Sequence, residues 1–367
     1  MKEDADAKAI LDQYKADIQD LKTEKVGTSD VFLDGQCEHV RAKETNLGDF
    51  IADGMLKKAQ ESAGADLAIT NGGGIRGSIE KGDITLGDIL TVMPFGNTLY
   101  VADLKGSQIK KALEQGLSGI EEGGGAFPHV AGIEYTFTLS KPAGSRLIDV
   151  KLKDQKGNLT DIDDQKTYRV ATNAFVGTGG DGYSVFTEAS HGEDLGYVDY
   201  EIFKEQIEQA DGHISPVIDH RVKEVFLPRL KGKGVYDIQD DEKFQTYVQH
   251  TNKTLLYLDK ATEAKKVQLS LSKGQVAELK KREQDPNVTI YHDKVGLALP
   301  LSNLSEQQAD ISMAKTNKVK NALTDTYDFQ IKQDQKNVTT FKDPVTLFFT
   351  LDAPEKAKKP GVYYVDR

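Results

Sequence analysis

The chain has 367 residues, of which 38% are hydrophobic and 29% are charged. This length favours two domains over one, the composition excludes a wholly disordered protein, and no apolar run approaches the roughly 20 residues of a membrane-spanning helix. The formal net charge of −11 argues against a nucleic-acid partner, because binding a polyanion needs a basic surface and the lysines here are interleaved with acids.

The N-terminal region predicts a helix followed by a strand and a second helix. Apolar residues draw one stripe along Asp4–Leu21, which favours an amphipathic opening helix. A strand candidate at Val31–Asp34 is closed by Gly35, and Thr45 or Asn46 can cap the free amides of the helix that follows.

The middle of the chain mixes strands and helices. A short buried strand, Asp66–Thr70, stops at a run of three glycines that neither a strand nor a helix interior tolerates well. The later elements keep strand or helix periodicity and indicate an α+β or α/β domain that ends near residue 223. They are a helix at Ile109–Leu117 and strands at Ile133–Leu139, Leu147–Leu152 and Tyr168–Thr172.

Beyond residue 240 the pattern changes to alternation with period two. Such spacing is typical of half-buried strands in a β-sandwich. The stretch before it, Phe226–Gly234, has the proline, glycine and charge of a linker. The alternating segments are Val267–Leu271, Val295–Leu299, Tyr327–Ile331 and Val345–Leu351.

The single cysteine, Cys37, excludes an internal disulfide and a thiolate zinc site. The seven histidines stand singly, without the two-histidine spacing of metal ligands, so we expect ordinary surface or core positions for them. The N-terminus lacks the basic and apolar regions of a signal peptide. The chain is therefore either cytoplasmic or a fragment of a longer precursor, and we favour the fragment.

Two glycine clusters are candidates for ligand contacts. In Asn71–Arg76, three glycines expose backbone amides next to an arginine, a combination that suits a phosphate, although a tight turn is the simpler explanation of the glycines alone. In Gly177–Gly182, Asp181 is placed where its carboxylate can accept hydrogen bonds from two hydroxyls, such as those of a ribose.

Two phenylalanines lie beside glycine or proline rather than inside regular elements. They are Phe95 in MPFGN and Phe175 in NAFVG. Aromatic side chains in loops can stack on a flat base. Taken singly, a core position is the simpler explanation of each ring.

The order of these motifs along the chain resembles that of a known protein family. Arg41 with KETNLG, then NGGGIR, then MPFGN, then YRVATNAFVGTGGDGY are similar to successive signatures of the 5′-nucleotidase C-terminal domain. The resemblance runs from about Asp4 to about Val222. Lys43 stands where many relatives have arginine. A lysine ammonium is a point charge, so the resemblance implies less bidentate binding of phosphate at this position than an arginine would give.

The resemblance implies a nucleotide-binding site. Arg41 and Arg76 would contact the phosphate, Phe95 and Phe175 would sandwich the base, and Asp181 would hold the ribose hydroxyls. The implied substrate-binding positions are Arg41, Asn71, Gly73, Gly74, Arg76, Phe95, Gly125, Asn173, Phe175 and Asp181.

The same resemblance places catalysis outside this chain. In the family, an N-terminal metallophosphoesterase domain holds two divalent metal ions and activates the attacking water, and its motifs are not found in this sequence. We therefore expect no catalytic residue, no metal and no cofactor here, and no activity from the isolated chain. The expected partners are a nucleoside 5′-monophosphate or nucleoside, and the protein's own metallophosphoesterase domain.

The expected fold is α+β, with mixed sheets layered with helices, followed by an all-β sandwich-like domain. We expect a connector helix at 1–28, the nucleotide-binding domain at 29–223, a linker at 224–240 and a β-rich module at 241–367. This last module resembles β-modules of Gram-positive surface proteins.

The expected function is substrate binding in a secreted, metal-dependent 5′-nucleotidase that hydrolyses nucleoside 5′-phosphates. A 2′,3′-cyclic-nucleotide phosphodiesterase or a UDP-sugar hydrolase is the alternative within the same class. A non-catalytic surface-binding module is the alternative from another class. The resemblance and the character of the tail imply an extracellular or cell-wall location.

Overall fold

The computed structural model describes residues 23–259, 264–282, 286–293, 295–316 and 326–349. These residues form two compact units. The first takes in the described residues up to Phe137 together with Lys141–Lys223, and the second takes in Thr138–Ser140 and the described residues from Glu224 onward. None of the described helices is long and apolar enough to cross a lipid bilayer.

The first unit is an α+β fold with three sheets, in the strand orders β11-β1-β3, β10-β4-β9-β2-β5 and β12-β6-β7-β8. The last strand, β12, ends at Glu224, where the two units meet along the chain. The strands are β1 Lys25–Ser29, β2 Leu67–Asn71, β3 Gly82–Thr85, β4 Thr98–Lys105, β5 Pro128–Ala131, β6 Ile133–Phe137, β7 Leu147–Lys153, β8 Leu159–Asp161, β9 Thr167–Asn173, β10 Ser190–Val198, β11 His213–Ile214 and β12 Val222–Glu224.

Among the described residues, six α-helices accompany these sheets. The longest, α2, begins where the sequence predicts, because the Thr45 hydroxyl accepts a hydrogen bond from the amide of Gly48, and it ends at Gly64 in the left-handed conformation. The helices are α1 Cys37–Val40, α2 Asn46–Ala63, α3 Leu86–Val92, α4 Gly106–Gly116, α5 Ala174–Gly177 and α6 Asp199–Gln209.

One core fills the space between α2, α6 and the central sheet. One face of α2 is buried, with Leu47, Ile51 and Met55 all at most 4% exposed. The ring of Phe50 meets that of Phe203 on α6 edge to face, with 5.3 Å between the centroids. This packing holds the helices against the five-stranded sheet whose edge carries the candidate site.

The five-stranded sheet brings three chain segments to one edge. Strand β2 runs parallel to β9, so their carboxyl ends lie at the same edge. Strand β4 runs antiparallel to β9, with Leu99 opposite Asn173. The start of β4 therefore lies at the edge where β2 and β9 end.

The second unit contains two sheets, in the orders β13-β14-β16-β19-β20-β21 and β15-β17-β18-β22. A single cluster of buried side chains, including Leu269 and Ile290, draws on both sheets. Its strands are β13 Arg229–Gly232, β14 Val235–Asp237, β15 Thr254–Leu258, β16 Lys266–Leu271, β17 Asn287–His292, β18 Val295–Pro300, β19 Ala309–Lys315, β20 Tyr327–Gln333, β21 Lys336–Asn337 and β22 Thr346–Phe349.

Two helices of the second unit were not expected from the alternating pattern. They are α7, Asp241–His250, and α8, Lys273–Lys280. Helix α7 buries Phe244, Tyr247 and Val248, whose spacing of three and four residues is that of one helix face. The β-rich unit is therefore not purely β.

Some expected boundaries need correction. Residues 224–240 are not a linker, because they contribute β13 and β14 to the six-stranded sheet. The expected connector helix at 1–28 overlaps β1, and its part from Asp4 to Leu21 lies outside the described residues. The expected strand at Val31–Asp34 is reduced to one bridge between Leu33 and Ile79. The final segment of the tail, 350–367, also lies outside the described residues.

Candidate ligand-binding site

The candidate residues are carried by the segments that meet at the edge of the five-stranded sheet. Gly72–Gly74 forms one 3-10 turn directly after β2, and α5 with a second turn at Gly180–Gly182 follows β9. Phe95 lies just before β4. The fold thus brings segments from three distant parts of the sequence to one place.

A relay of side-chain amides orients the carboxylate of Asp181. The Asn71 amide donates to Asp181 Oδ2 at 2.7 Å, and the Asn173 amide donates to Asn71 Oδ1 at 2.9 Å. Asn173 is itself fixed, because its Oδ1 accepts from the amide of Val176 at 2.9 Å. Both asparagines are at most 5% exposed, so the relay fixes one carboxylate oxygen from a buried scaffold.

The backbone of Asp181 is left-handed, with φ 51° and ψ 24°. Gly179 and Gly182 beside it also have positive φ, and the Gln115 amide donates to the Asp181 carbonyl at 3.3 Å. A left-handed non-glycine residue costs on the order of 1–3 kcal/mol and persists only where its surroundings fix it. Such strain is typical of residues that are held for a purpose other than stability.

Close approach of backbone to backbone explains two of the candidate glycines. The Gly73 amide donates to the Gly125 carbonyl at 2.7 Å. A Cβ atom on Gly125 would lie 3.0 Å from Asp181 Oδ2 and 3.2 Å from the Cα of Gly73. Gly73, Gly125 and Asp181 are therefore in contact, and a larger residue at position 125 would push the other two away.

The two candidate arginines lie in different surroundings. Arg41 Nη1 donates to the Gly123 carbonyl at 2.9 Å, and Arg41 Nε is buried without a hydrogen-bond partner among the described residues. Arg76 follows the glycine run and places its guanidinium 5.8 Å from the centre of the Phe95 ring. Arg41 thus hydrogen-bonds to the loop that carries Gly125, whereas Arg76 lies over the ring of Phe95.

The two candidate phenylalanines are unusually exposed. Phe95 is 59% and Phe175 is 45% exposed, although large apolar side chains are normally buried. The ring of Phe175 lies against Gly180, where an added Cβ would be 2.6 Å from its Cε1. The rings lie at the same sheet edge, but no ring-to-ring contact joins them among the described aromatic residues.

Several supporting residues were missed from the sequence. Tyr183, in the quoted GGDGY segment, is fully buried and donates to the Ala126 carbonyl at 2.5 Å, and burial raises the pKa of its hydroxyl well above the usual value. Gln115 reaches the site from α4. The tyrosine was visible in the motif, but nothing in the sequence pointed to the glutamine.

His129 is buried, and burial lowers its pKa to about 4. Its Nε2 lies 2.9 Å from the Val40 carbonyl, which fixes the neutral ring with the proton on Nε2. It is therefore an uncharged core histidine that supports the turn before Arg41.

An open cleft of about 670 Å³ lies between α4 and β7, and Gln115 is one of the residues that line it. Its walls include Lys110, Lys111 and Glu114. None of the ten predicted site residues lines it, and the Glu114 carboxylate already accepts the amides of Arg146 and Leu147. The cleft therefore does not coincide with the candidate site residues.

The comparisons with known proteins point to one class of domain. Residues 25–188 match the family model of the 5′-nucleotidase C-terminal domain. Over its whole length the chain is 54% identical to the trifunctional nucleotide phosphoesterase protein YfkN of Bacillus subtilis, of which it spans 25%. It is 30% identical over 233 residues, 60% of its own length, to snake venom 5′-nucleotidase of Macrovipera lebetinus, of which it spans 57%.

A solved structure gives the same result for the fold. A 5′-nucleotidase precursor from Thermus thermophilus matches 60% of this chain with a TM-score of 0.56 and 42% identity, and the match covers 43% of that protein. The chain thus spans between a quarter and somewhat more than half of the curated relatives given above. The match to the YfkN protein includes the second unit, whereas the other two cover about 60% of the chain.

Proposed function

We propose that the first unit binds the nucleotide substrate in a secreted, metal-dependent 5′-nucleotidase that hydrolyses nucleoside 5′-phosphates. The observation that carries the proposal is the carboxylate of Asp181, held by Asn71 and Asn173 beside two exposed phenylalanines. A ribose offers two hydroxyls to a carboxylate, and a base offers a flat face to an aromatic ring. This pairing of a fixed acceptor with exposed rings suits a nucleoside.

The phosphate would be met by positive charge and backbone amides. Arg41 has a buried Nε without a partner among the described residues, and a phosphate oxygen can accept from it. Arg76 directly follows the glycine turn, and its planar guanidinium suits a phosphate. Gly73 already donates its amide to Gly125, so of the predicted glycine pair only Gly74 is available as an amide donor.

Hydrolysis would belong to a metal-bearing domain outside these residues, with two divalent ions. Among the described residues, the one acidic group with ligand-like spacing is Glu44, Asp49 and Asp219. It does not fit a catalytic centre, because two members are buried and Asp219 is paired with Arg221. We therefore assign orientation of the ester, rather than bond breaking, to this chain.

The proposed range of substrates extends beyond nucleoside 5′-monophosphates. The relative that is 54% identical is named a trifunctional nucleotide phosphoesterase, and this favours phosphoesters beyond the 5′-monophosphates, including cyclic nucleotides or sugar nucleotides. We assign the second unit a role as a spacer or surface module in an extracellular or cell-wall protein. A purely adhesive role for the whole chain is the competing proposal.

The test measures binding of AMP to the chain by ligand-observed NMR. Asp181→Asn keeps the side-chain volume and tolerates the left-handed backbone, but it removes the anionic acceptor. We expect weaker binding by roughly 10- to 150-fold, since a hydrogen bond to a charged group contributes about 1.5–3 kcal/mol. The matched control is Asp211→Asn, because Asp211 is also left-handed, with φ 53°, and has no proposed ligand.

An equal loss of AMP affinity in both variants would rule out the proposal. So would the absence of magnetisation transfer from the wild-type chain to AMP. A phosphate-release assay with added zinc or manganese belongs to the same experiment. We expect no release from the isolated chain. Robust release would show that catalytic ligands exist within these 367 residues.

A further inference from the structure

Two acids outside the candidate site lie side by side at the start of α2. Glu44 and Asp49 are 3% and 2% exposed, and oxygens of these two residues and of Asp219 lie within 4.8 Å of one another. Two ionised carboxylates at this spacing repel strongly when they are removed from water. Something must reduce their combined charge.

The nearby arginine does not do this, because its donors are already used. Arg221 Nη2 donates to Asp53 Oδ2 at 3.0 Å and to Asp219 Oδ2 at 2.9 Å, and its Nε donates to Asp219 Oδ1 at 2.8 Å. The distance from Nε to Asp49 Oδ1 is 3.8 Å, which is too long for a hydrogen bond. The guanidinium therefore neutralises Asp53 and Asp219 first.

A second cation of this cluster is Lys153, whose Nζ lies 3.7 Å from Asp219 Oδ2 and 3.6 Å from Glu134 Oε1. Lys153 is therefore directed at Asp219 and Glu134. Glu134 Oε2 also accepts from Lys223 Nζ at 2.7 Å. The cluster therefore holds five carboxylates (Glu44, Asp49, Asp53, Glu134 and Asp219) and three cations (Arg221, Lys153 and Lys223).

No protein donor satisfies Asp49. Among the described residues, neither of its carboxylate oxygens has a hydrogen-bond partner. Tyr135 and His129, on the adjoining strands, use their polar hydrogens elsewhere, since the Tyr135 hydroxyl donates to the Pro128 carbonyl at 2.8 Å and His129 Nε2 faces the Val40 carbonyl. The one donor left is a proton on a carboxyl group of the pair itself.

We propose that Glu44 and Asp49 share one proton in the folded protein at neutral pH, as a carboxylic acid hydrogen-bonded to a carboxylate. The pair joins the segment after Arg41 to the first turn of α2. Glu44 Oε1 also accepts the Arg221 amide at 2.9 Å, so the shared proton links three parts of the first unit. On folding, the proton is taken up from solvent, and no other bond forms or breaks.

Electrostatics support the same arrangement. Burial raises the pKa of both carboxyls, and for Asp49 repulsion from Glu44 raises it further. A divalent cation is the other way to neutralise the pair. It is disfavoured because its third ligand, Asp219, already accepts from Arg221 with both oxygens.

The sign of the pH dependence follows. The folded state keeps a proton that the unfolded chain loses near the ordinary carboxyl pKa of about 4. The contribution of the pair to stability is therefore complete below that pH and declines as the pH rises through the raised pKa of the folded protein. The first unit should lose stability towards alkaline pH.

The experiment is thermal unfolding of the whole chain as a function of pH. In Asp49→Asn, an amide donates to Glu44 in place of the shared proton. We expect a flatter curve for this variant, and a Tm at about pH 9 that exceeds that of the wild type by about 2 °C or more. Asp211→Asn, an exposed acid exchanged in the same way, should follow the wild-type curve.

A second measurement tests the proposal even if the variant does not fold. Infrared spectroscopy of the wild-type chain at neutral pH should show the carbonyl band of a protonated carboxylic acid, which disappears as the pH rises. Absence of that band, or parallel curves for the wild type and Asp49→Asn, would overturn the proposal. So would a rise in Tm on adding calcium or magnesium that is lost in Asp49→Asn, because it would assign a cation to the pair.

Discussion

Phe175 illustrates how a glycine can fix the position of an exposed ring in the candidate site. Its ring is nearly half exposed, yet the backbone of Gly180 lies against one side of it. A side chain at position 180 would collide with the ring, so the glycine leaves room for this rotamer. The other side of the ring is available for a planar ligand.

We expect Phe175→Ala to weaken binding of adenosine or AMP by roughly 5- to 150-fold, because stacking of a base on an aromatic ring contributes about 1–3 kcal/mol. Titration monitored by NMR measures the change. Phe341→Ala is the matched control, since Phe341 is 44% exposed but lies in the second unit. A loss of affinity in the control equal to that in Phe175→Ala would refute the stacking role.

The sequence predicted residue types at this scale better than it predicted their contacts. Asp181 and Asn71 stand out in their motifs because both lie among glycines. The hydrogen bond between them joins positions 110 residues apart, and the bond from Asn173 to Asn71 joins positions 102 apart. Local patterns carry no information on such pairing, which depends on how β2 and β9 align in the sheet.

At the scale of elements, α2 depends on its first turn. Thr45 is fully buried, and its hydroxyl accepts from the Gly48 amide at 3.1 Å. Burial leaves water no access to replace that bond. The same turn carries Asp49, so the cap fixes the position of the buried acid pair as well.

We expect Thr45→Ala to lower the free energy of unfolding of the first unit by about 1 kcal/mol or somewhat more, the usual effect of losing a helix cap. Chemical denaturation of the chain measures it. Ser62→Ala is the control in the same helix, because Ser62 is exposed and only donates to the Lys58 carbonyl one turn back. A similar decrease in both variants would show that the cap has no special role.

Elements with strong local signals were predicted, and those that depend on partners were not. The threonine cap and the buried stripe of α2 are local features. By contrast, residues 224–240 carry a proline, two glycines and several charges, as a linker does, yet Tyr236 is fully buried and pairs with Leu269 on the neighbouring strand. The alternating tail likewise obscured α7, whose apolar residues also fit a helix.

At the scale of the whole molecule, the buried side chains fall into separate cores. The cluster around α2 and the central sheet contains Ile89, and the cluster of the second unit contains Ile290. Both isoleucines have no exposed surface. Each core is therefore sensitive to loss of a few methylene groups.

We expect Ile89→Ala and Ile290→Ala each to destabilise its own unit by about 2–5 kcal/mol through cavity formation. Calorimetry of the whole chain should then show a lower transition temperature for the affected unit. Hydrogen exchange of core amides assigns each transition to a unit. Loss of protection in the second unit on Ile89→Ala, to the same degree as in the first, would contradict two separately stabilised cores.

Under the proposed function, the hydrogen bond from Asn71 to Asp181 also limits which sugars would fit. Because Oδ2 is engaged by an amide and the backbone of Gly125 lies close beside it, the carboxylate would accept two hydroxyls from one side only. We therefore expect a cis-diol to bind more tightly than a deoxy or trans arrangement.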